Sequence, residues 1–137
     1  MATKKLAFIV KSLPYKTETS RLALTHAIAS QTVEIYLEDG DMVDPVLAFM
    51  GDGVLNCLKN QKAMTTYGVT SIEQHLKNAL LLDIKVLVCK EDMEQLGITE
   101  DNIIMDAEDI GGETKANIVS FSEIQKEMET SDHLLFF

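Results

Sequence analysis

The sequence predicts an α/β fold, a sandwich in which helical layers cover a mainly parallel sheet. Five short apolar runs alternate with segments that carry helical spacing or helix-capping residues, and such alternation is typical of a parallel sheet. The runs are continuously apolar, as in strands that are buried on both faces. The 137 residues, 46% of them hydrophobic, suit one core, so we expect a single domain over residues 1–137.

The first strand is predicted over residues 4–12 (KKLAFIVKS), and Pro14 follows it. A helix is expected to begin near Glu18, where hydroxyl side chains offer caps. The segment 32–38 (TVEIYLE) is β-branched enough for a strand. Its apolar residues also keep the helical phase, so we expect the helix to continue to Gly40.

The second strand is predicted over residues 45–50 (PVLAFM), and it leads into a Gly-Asp-Gly turn at residues 51–53. We expect these glycines to supply a tight turn and Asp52 to cap the helix that follows. Thr70 and Glu73 fit the capping box of the next helix. The buried stripe of that helix is predicted at Ile72, Leu76, Ala79 and Leu80.

The third strand is predicted over residues 84–89 (IKVLVC). A short helix is expected after it, ending near Leu96 with Gly97 as its stop. Another short helix is expected to begin at Thr99, beside acidic residues that suit a helix N-terminus.

The chain is expected to close on two further strands, at residues 117–121 (NIVSF) and 133–137 (HLLFF). Between them, Ser122 and Gln125 predict the start of a helix that runs to about Glu129.

Three features follow the first three strands, at the points where sites form in parallel sheets. They are the Pro14-Tyr15 pair, the turn with Asp52 and Gly53, and Cys89. If these strands are neighbours, the three features share one edge of the sheet. We therefore expect Pro14, Tyr15, Asp52 and Gly53 to contribute to binding beside Cys89.

Cys89 ends an apolar run immediately before a charged segment. The N-terminus of the following helix would favour a thiolate, whereas Glu91 and Asp92 would oppose it. From the residues alone, a buried and inert cysteine is the favoured interpretation, because free cysteine is among the most buried residue types. Cys57 is expected to be a packing residue within its helix.

Charge and composition exclude several classes of function. The net charge of −10 argues against direct binding of nucleic acid and against adhesion to an anionic membrane. No apolar stretch approaches the ~18 residues that span a bilayer. With two cysteines and no recognisable export signal, we expect a reducing cytoplasm. No zinc-type spacing or phosphate-loop motif occurs, so we expect no metal and no cofactor.

Four segments, spread over nearly the whole chain, carry a resemblance to a known family. In order they are KKLAFIVKSLPY, VDPVLAFMGDGVLNCLKNQK, DIKVLVCKEDMEQLGI and TSDHLLFF. Together they resemble the DsrE/DsrF-like family of small sulfur-relay proteins, which includes the TusB, TusC and TusD subunits. The second segment is most similar to the DsrF/TusC type. In the third, Cys89 and Gly97 keep the family's spacing.

The resemblance implies a three-layer α/β/α fold with a five-stranded parallel sheet. It also implies a trimer or hexamer, built from copies of this chain or from homologous subunits, that exchanges sulfur with donor and acceptor proteins. The leading hypothesis is an intracellular sulfur-relay protein, a possible sulfurtransferase, in which Cys89 accepts sulfane sulfur as a persulfide and passes it on.

Two alternatives belong to other classes. One is a non-catalytic structural or interaction subunit of such a complex, in which Cys89 is structural; the acidic residues after Cys89 favour it. The other is a small-molecule or nucleotide binder at the same edge of the sheet, motivated only by the general location of sites in open α/β sheets.

Overall fold

The structure, a computed structural model, describes residues 3–32 and 42–137 and builds one five-stranded sheet. The strands are β1 (Thr3–Val10), β2 (Met42–Phe49), β3 (Lys85–Cys89), β4 (Asn117–Val119) and β5 (His133–Phe136). Their order is β4-β3-β2-β1-β5, and every neighbouring pair is parallel. The predicted fold class is therefore confirmed, and the sheet is parallel throughout.

Helices cover both faces of this sheet. They are α1 (Thr19–Thr32), α2 (Ala63–Tyr67), α3 (Ile72–Leu81), α4 (Lys90–Gln95) and α5 (Phe121–Thr130). Helices α1 and α3 pack against each other and so share one face, while α5 packs on β1 and β3. Right-handed crossovers place α5 on the opposite face, which gives three layers. The predicted continuation of the first helix to Gly40 lies outside the described residues.

The core lies between the sheet and its helices. Its largest fully buried side chains include Ile9, Leu47 and Phe49 from the central strands and Leu24 and Leu76 from α1 and α3. Burying each such side chain contributes roughly 1.5–3 kcal/mol. The predicted stripe of α3 is buried at all its positions. The continuous apolar runs of β2 and β3 thus reflect burial on both faces.

Two predicted helix caps are wrong by one or two positions. Helix α3 is capped by Ser71, whose hydroxyl accepts from the Gln74 N–H at 3.2 Å, and not by Thr70. Helix α5 is capped by Ser120, and the predicted cap Ser122 lies inside the helix. Both serines have the extended backbone that a cap requires. Adjacent hydroxyl residues look alike in the sequence, so only the backbone separates them.

The short elements after β3 largely follow the prediction. Helix α4 ends before Gly97, whose φ of +71° is the left-handed conformation that favours glycine. A 3₁₀ turn follows at Glu100–Asn102, with Thr99 and Asn102 forming a capping box. The sequence therefore places these helical turns correctly, although the second is 3₁₀ and not α-helical.

Candidate functional site at the carboxyl edge of the sheet

The carboxyl ends of β1, β2 and β3 lie side by side, because β2 pairs with both of the others. Val10 pairs with Phe49, and Phe49 in turn pairs with Val88. The segments that follow these residues are the Pro14-Tyr15 loop, the turn at Gly51 and residue Cys89. The structure therefore brings the three predicted features to one edge.

Cys89 is the last residue of β3 and the residue that precedes helix α4. It is only 1% exposed. On the sheet it pairs with Val119 of β4. In this chain the sulfur thus lies inside the protein, at the junction between strand and helix.

The surroundings of Cys89 oppose ionisation of its thiol. Burial, to which the carboxylates of Asp92 and Glu91 add, raises the pKa of Cys89 to about 11. The backbone N–H of Asp92 acts in the opposite direction, as expected at a helix N-terminus. At neutral pH, roughly one molecule in ten thousand would carry the thiolate. Cys57 is fully buried, and burial raises its pKa as well.

Asp92 joins α4 to the turn after β2. Its Oδ2 accepts a hydrogen bond from the backbone N–H of Gly51 at 2.7 Å. This corrects the prediction for Asp52, because the 3₁₀ helix Gly51–Cys57 has no side-chain cap and Asp52 is exposed. The carboxylate at this helix start therefore comes from an element 41 residues away, which no local pattern reveals.

Gly53 allows the 3₁₀ helix to approach the end of β1. A Cβ added to Gly53 would lie 2.0 Å from the carbonyl oxygen of Val10, well inside van der Waals contact. Gly51 supplies the turn, with a φ of +57°. Glycine is thus required at position 53 because the two backbones approach closely, and this requirement is one of packing.

Tyr15 links three segments of the edge. Its hydroxyl accepts from the backbone N–H of Ile72 at 2.8 Å and donates to the side-chain oxygen of Gln61. Its ring stacks on Tyr67 at a centroid distance of 5.6 Å. Its φ of +64° is rare for a bulky residue, and burial raises the pKa of its hydroxyl. The surrounding contacts hold this strained conformation in place.

Gln61 anchors the other side of Tyr15. Its Nε2 donates to the backbone oxygens of Asn56 and Leu58, each at 2.9 Å. The sequence shows Gln61 only as part of the family-like segment, and Tyr67 carries no signal of its own. Their role depends on contacts between distant segments, which residue spacing does not encode.

A cavity of about 390 Å³ opens beside Tyr15. We call it the tyrosine cavity; its apolar and aromatic lining includes Leu13, Pro14, Tyr15, Leu55, Leu58 and Tyr67. Of the predicted binding residues, Pro14 and Tyr15 line it, whereas Asp52 and Gly53 are not part of its described lining.

A second cavity of about 650 Å³ lies between α4 and β4, with Lys90, Met93 and Val119 in its lining. Its lining includes the residue that follows Cys89 and the residue that pairs with it, but among the described residues it does not include Cys89 itself. Residues next to Cys89 in the chain and in the sheet thus line this cavity, whereas Cys89 itself is buried.

Comparisons with known proteins agree on one group. A statistical model of the DsrE/DsrF-like family matches residues 4–137. The chain is 28% identical to a protein named TusC homolog from Aliivibrio fischeri, over 97% of this chain and 98% of that protein.

Two solved structures have a similar fold. The crystal structure of the ychN protein from E. coli covers 98% of this chain and 99% of its own, with a TM-score of 0.76 at 22% identity. A conserved protein of unknown function from Bacteroides thetaiotaomicron, BT1422, covers 98% of this chain and 95% of its own. Its TM-score is 0.58 at 12% identity. At these identities the likeness concerns the fold.

Proposed function

The chain belongs to the DsrE/DsrF-like family, and from that premise we propose that it is a subunit of a cytoplasmic sulfur-relay assembly. In this proposal the assembly is a trimer or hexamer, of this chain alone or with homologous subunits. It exchanges sulfur with donor and acceptor proteins and makes no direct contact with nucleic acid or membrane. The similarity to a TusC homolog supports this role.

The burial of Cys89 supports one of the two roles within such an assembly. Sulfur relay requires a thiolate that attacks the outer sulfur of a donor persulfide. One S–S bond forms on the attacking cysteine, the donor S–S bond breaks, and the donor leaves as a thiolate. Cys89 is 1% exposed, and its pKa is raised to about 11. We therefore infer an interaction subunit in which Cys89 remains a structural thiol and a partner's cysteine carries the sulfur.

The charges beside Cys89 support the same role. A persulfide on this residue would place a negative sulfur next to Asp92 and Glu91, whose carboxylates already raise the pKa of the thiol. The additional sulfur atom would also need space in a packed interior, where overpacking costs roughly 1–3 kcal/mol.

A second candidate keeps Cys89 as the sulfur carrier, and its position favours this. Cys89 sits at the carboxyl edge of the sheet and directly before α4, where backbone N–H groups favour an anion. For this role the sulfur would have to become accessible to a donor, because Cys89 is 1% exposed in this structure.

Native thiol labelling distinguishes the two roles. We expect Cys89 to react with a thiol reagent far more slowly in the folded protein than after unfolding. The Cys57→Ser variant isolates Cys89, and the Cys89→Ser variant isolates Cys57 as a buried control. Labelling of Cys89 at the rate of an unfolded cysteine would favour the carrier role.

A further inference from the structure

The tyrosine cavity combines an apolar lining with a fixed aromatic wall. Its volume of about 390 Å³ lies in the range of small-molecule sites, which are mostly apolar with a few polar groups. Tyr15 and Tyr67 are stacked, and the hydroxyl of Tyr15 is held by Ile72 and Gln61. The wall is therefore positioned before any ligand arrives, which lowers the entropy that binding would cost.

The charge of the lining is opposite to that of the chain. The chain carries a net charge of −10, yet the ionic side chains of this lining are Lys16 and Lys62, and no carboxylate is among its described residues. Both lysines are exposed. Within residues 3–32 and 42–137, no ion pair occupies the ammonium group of either one. Glu18 and Glu73 act on Tyr15 but lie outside the lining.

We propose that the tyrosine cavity binds a small organic anion that has a flat apolar body and one carboxylate or sulfonate group. The body lies against Tyr15 and Tyr67, where stacking adds to apolar burial. The anionic group is placed at the rim, between Lys16 and Lys62. This site does not depend on Cys89 or on sulfur relay, so either proposal can fail without the other.

The experiment titrates the protein with 2-naphthoate and with 2-naphthamide, a neutral probe of the same shape, and follows backbone amide signals by NMR. We expect both probes to shift signals of the cavity lining. We also expect naphthoate to bind roughly threefold to tenfold more tightly, because two partly solvated lysines favour the charge. Equal affinities, or shifts confined to other surfaces, would overturn the proposal.

Two double variants, a test and a control, show whether the preference for naphthoate arises at the cavity. In Lys16→Gln/Lys62→Gln the preference for naphthoate should vanish, whereas the charge-matched control Lys115→Gln/Lys126→Gln should keep it. Both control lysines are exposed and lie outside the lining. Retention of the preference in the first double variant would contradict the role of the rim lysines.

The aromatic wall has its own matched pair. Tyr67 is 60% exposed and Met64, one turn earlier on α2, is 63% exposed, so neither is needed for the core. Tyr67→Ala should weaken both probes roughly threefold to tenfold through lost stacking. Met64→Ala, outside the lining, should leave both affinities unchanged. Equal effects of the two changes would exclude the aromatic wall as a binding surface.

Discussion

At the scale of single residues, Cys89 should make stability depend on pH in the alkaline range. Folding raises the pKa of this thiol from its ordinary value of 9.0 to about 11, chiefly through burial. Below the pKa of the unfolded chain, Cys89 is a neutral thiol in both states, and the stability that comes from burying the neutral form is fully present. As the pH rises from there through the folded pKa, the unfolded chain ionises first and the free energy of unfolding falls.

Chemical unfolding across this range tests the effect. We expect Cys89→Ala to remove roughly 1–3 kcal/mol of the alkaline loss of stability. Cys57→Ala is the control for the second buried thiol and should remove a separate contribution. If wild type and Cys89→Ala lose the same amount of stability between pH 9 and pH 11, folding does not raise the pKa of Cys89.

The carboxylate of Asp92 should hold the pKa of Cys89 high. Asp92→Asn removes the charge but leaves an oxygen that can accept from Gly51, so the local geometry is kept. We expect the pKa of Cys89 to fall by roughly half a unit to one unit, followed through the Cβ chemical shift in a pH titration. Glu94→Gln, an exposed change on the same helix, should not shift it. An unchanged pKa in Asp92→Asn would disprove the interaction.

At the scale of elements, the packing of the 3₁₀ helix on β1 depends on Gly53. We expect Gly53→Ala to destabilise the protein by roughly 3 kcal/mol or more, because the new Cβ would collide with the Val10 carbonyl. Gly68→Ala is the control: nothing lies within 4 Å of its Cβ position, and only its φ of +71° is unfavourable. That change should cost about 1 kcal/mol. Similar losses in thermal unfolding would refute the close approach.

The start of α3 provides a test between two adjacent hydroxyl residues. Ser71→Ala should destabilise the protein by about 1 kcal/mol, because the hydroxyl of Ser71 accepts from Gln74. Thr70→Ala should cost less, since Thr70 contributes its backbone oxygen, which accepts from Arg21 at 2.6 Å. Urea unfolding of the two variants measures the difference. A larger loss for Thr70→Ala would mean that the cap is wrongly assigned.

The positions of strands and helices can be predicted from the sequence where a pattern of neighbouring residues determines them. Apolar runs placed all five strands, and for the central strands the reason is burial on both faces, which requires apolar residues at every position. The expectation of burial on both faces is wrong for the edge strands, since β5 is exposed along its whole length and β4 has no fully buried residue. The caps of α3 and α5 were misplaced, since neighbouring serines and threonines have similar capping preference. The Asp92–Gly51 and Tyr15–Gln61 contacts could not be predicted, because they join segments 41 and 46 residues apart.

At the scale of the whole molecule, the sheet ends in an exposed apolar strand. On β5, Leu134, Leu135 and Phe136 are between 38% and 53% exposed, and an open apolar edge is typical of a surface that another chain covers. We predict that sedimentation of the purified chain gives a mass three or six times its 15.2 kDa. A monomer at all concentrations would argue against self-assembly.

The apolar runs and the family-like segments predict the α/β fold and the family. The structure adds the burial of Cys89 and the cavity beside Tyr15. The sequence places Cys89 at the edge of the sheet, which the structure confirms. It does not determine the exposure of the sulfur, because burial depends on how the whole chain packs, and in the folded chain Cys89 is 1% exposed. Likewise, the acidic composition gave no sign that a lysine-rimmed cavity lies beside Tyr15.

The most direct test of the interaction-subunit role is the intact mass of the folded chain after treatment with a persulfide donor. We predict that Cys89 gains no sulfur atom under native conditions and gains one when the same treatment follows unfolding. Addition of one sulfur atom to the native protein, lost in Cys89→Ser and kept in Cys57→Ser, would contradict this prediction and identify Cys89 as the carrier.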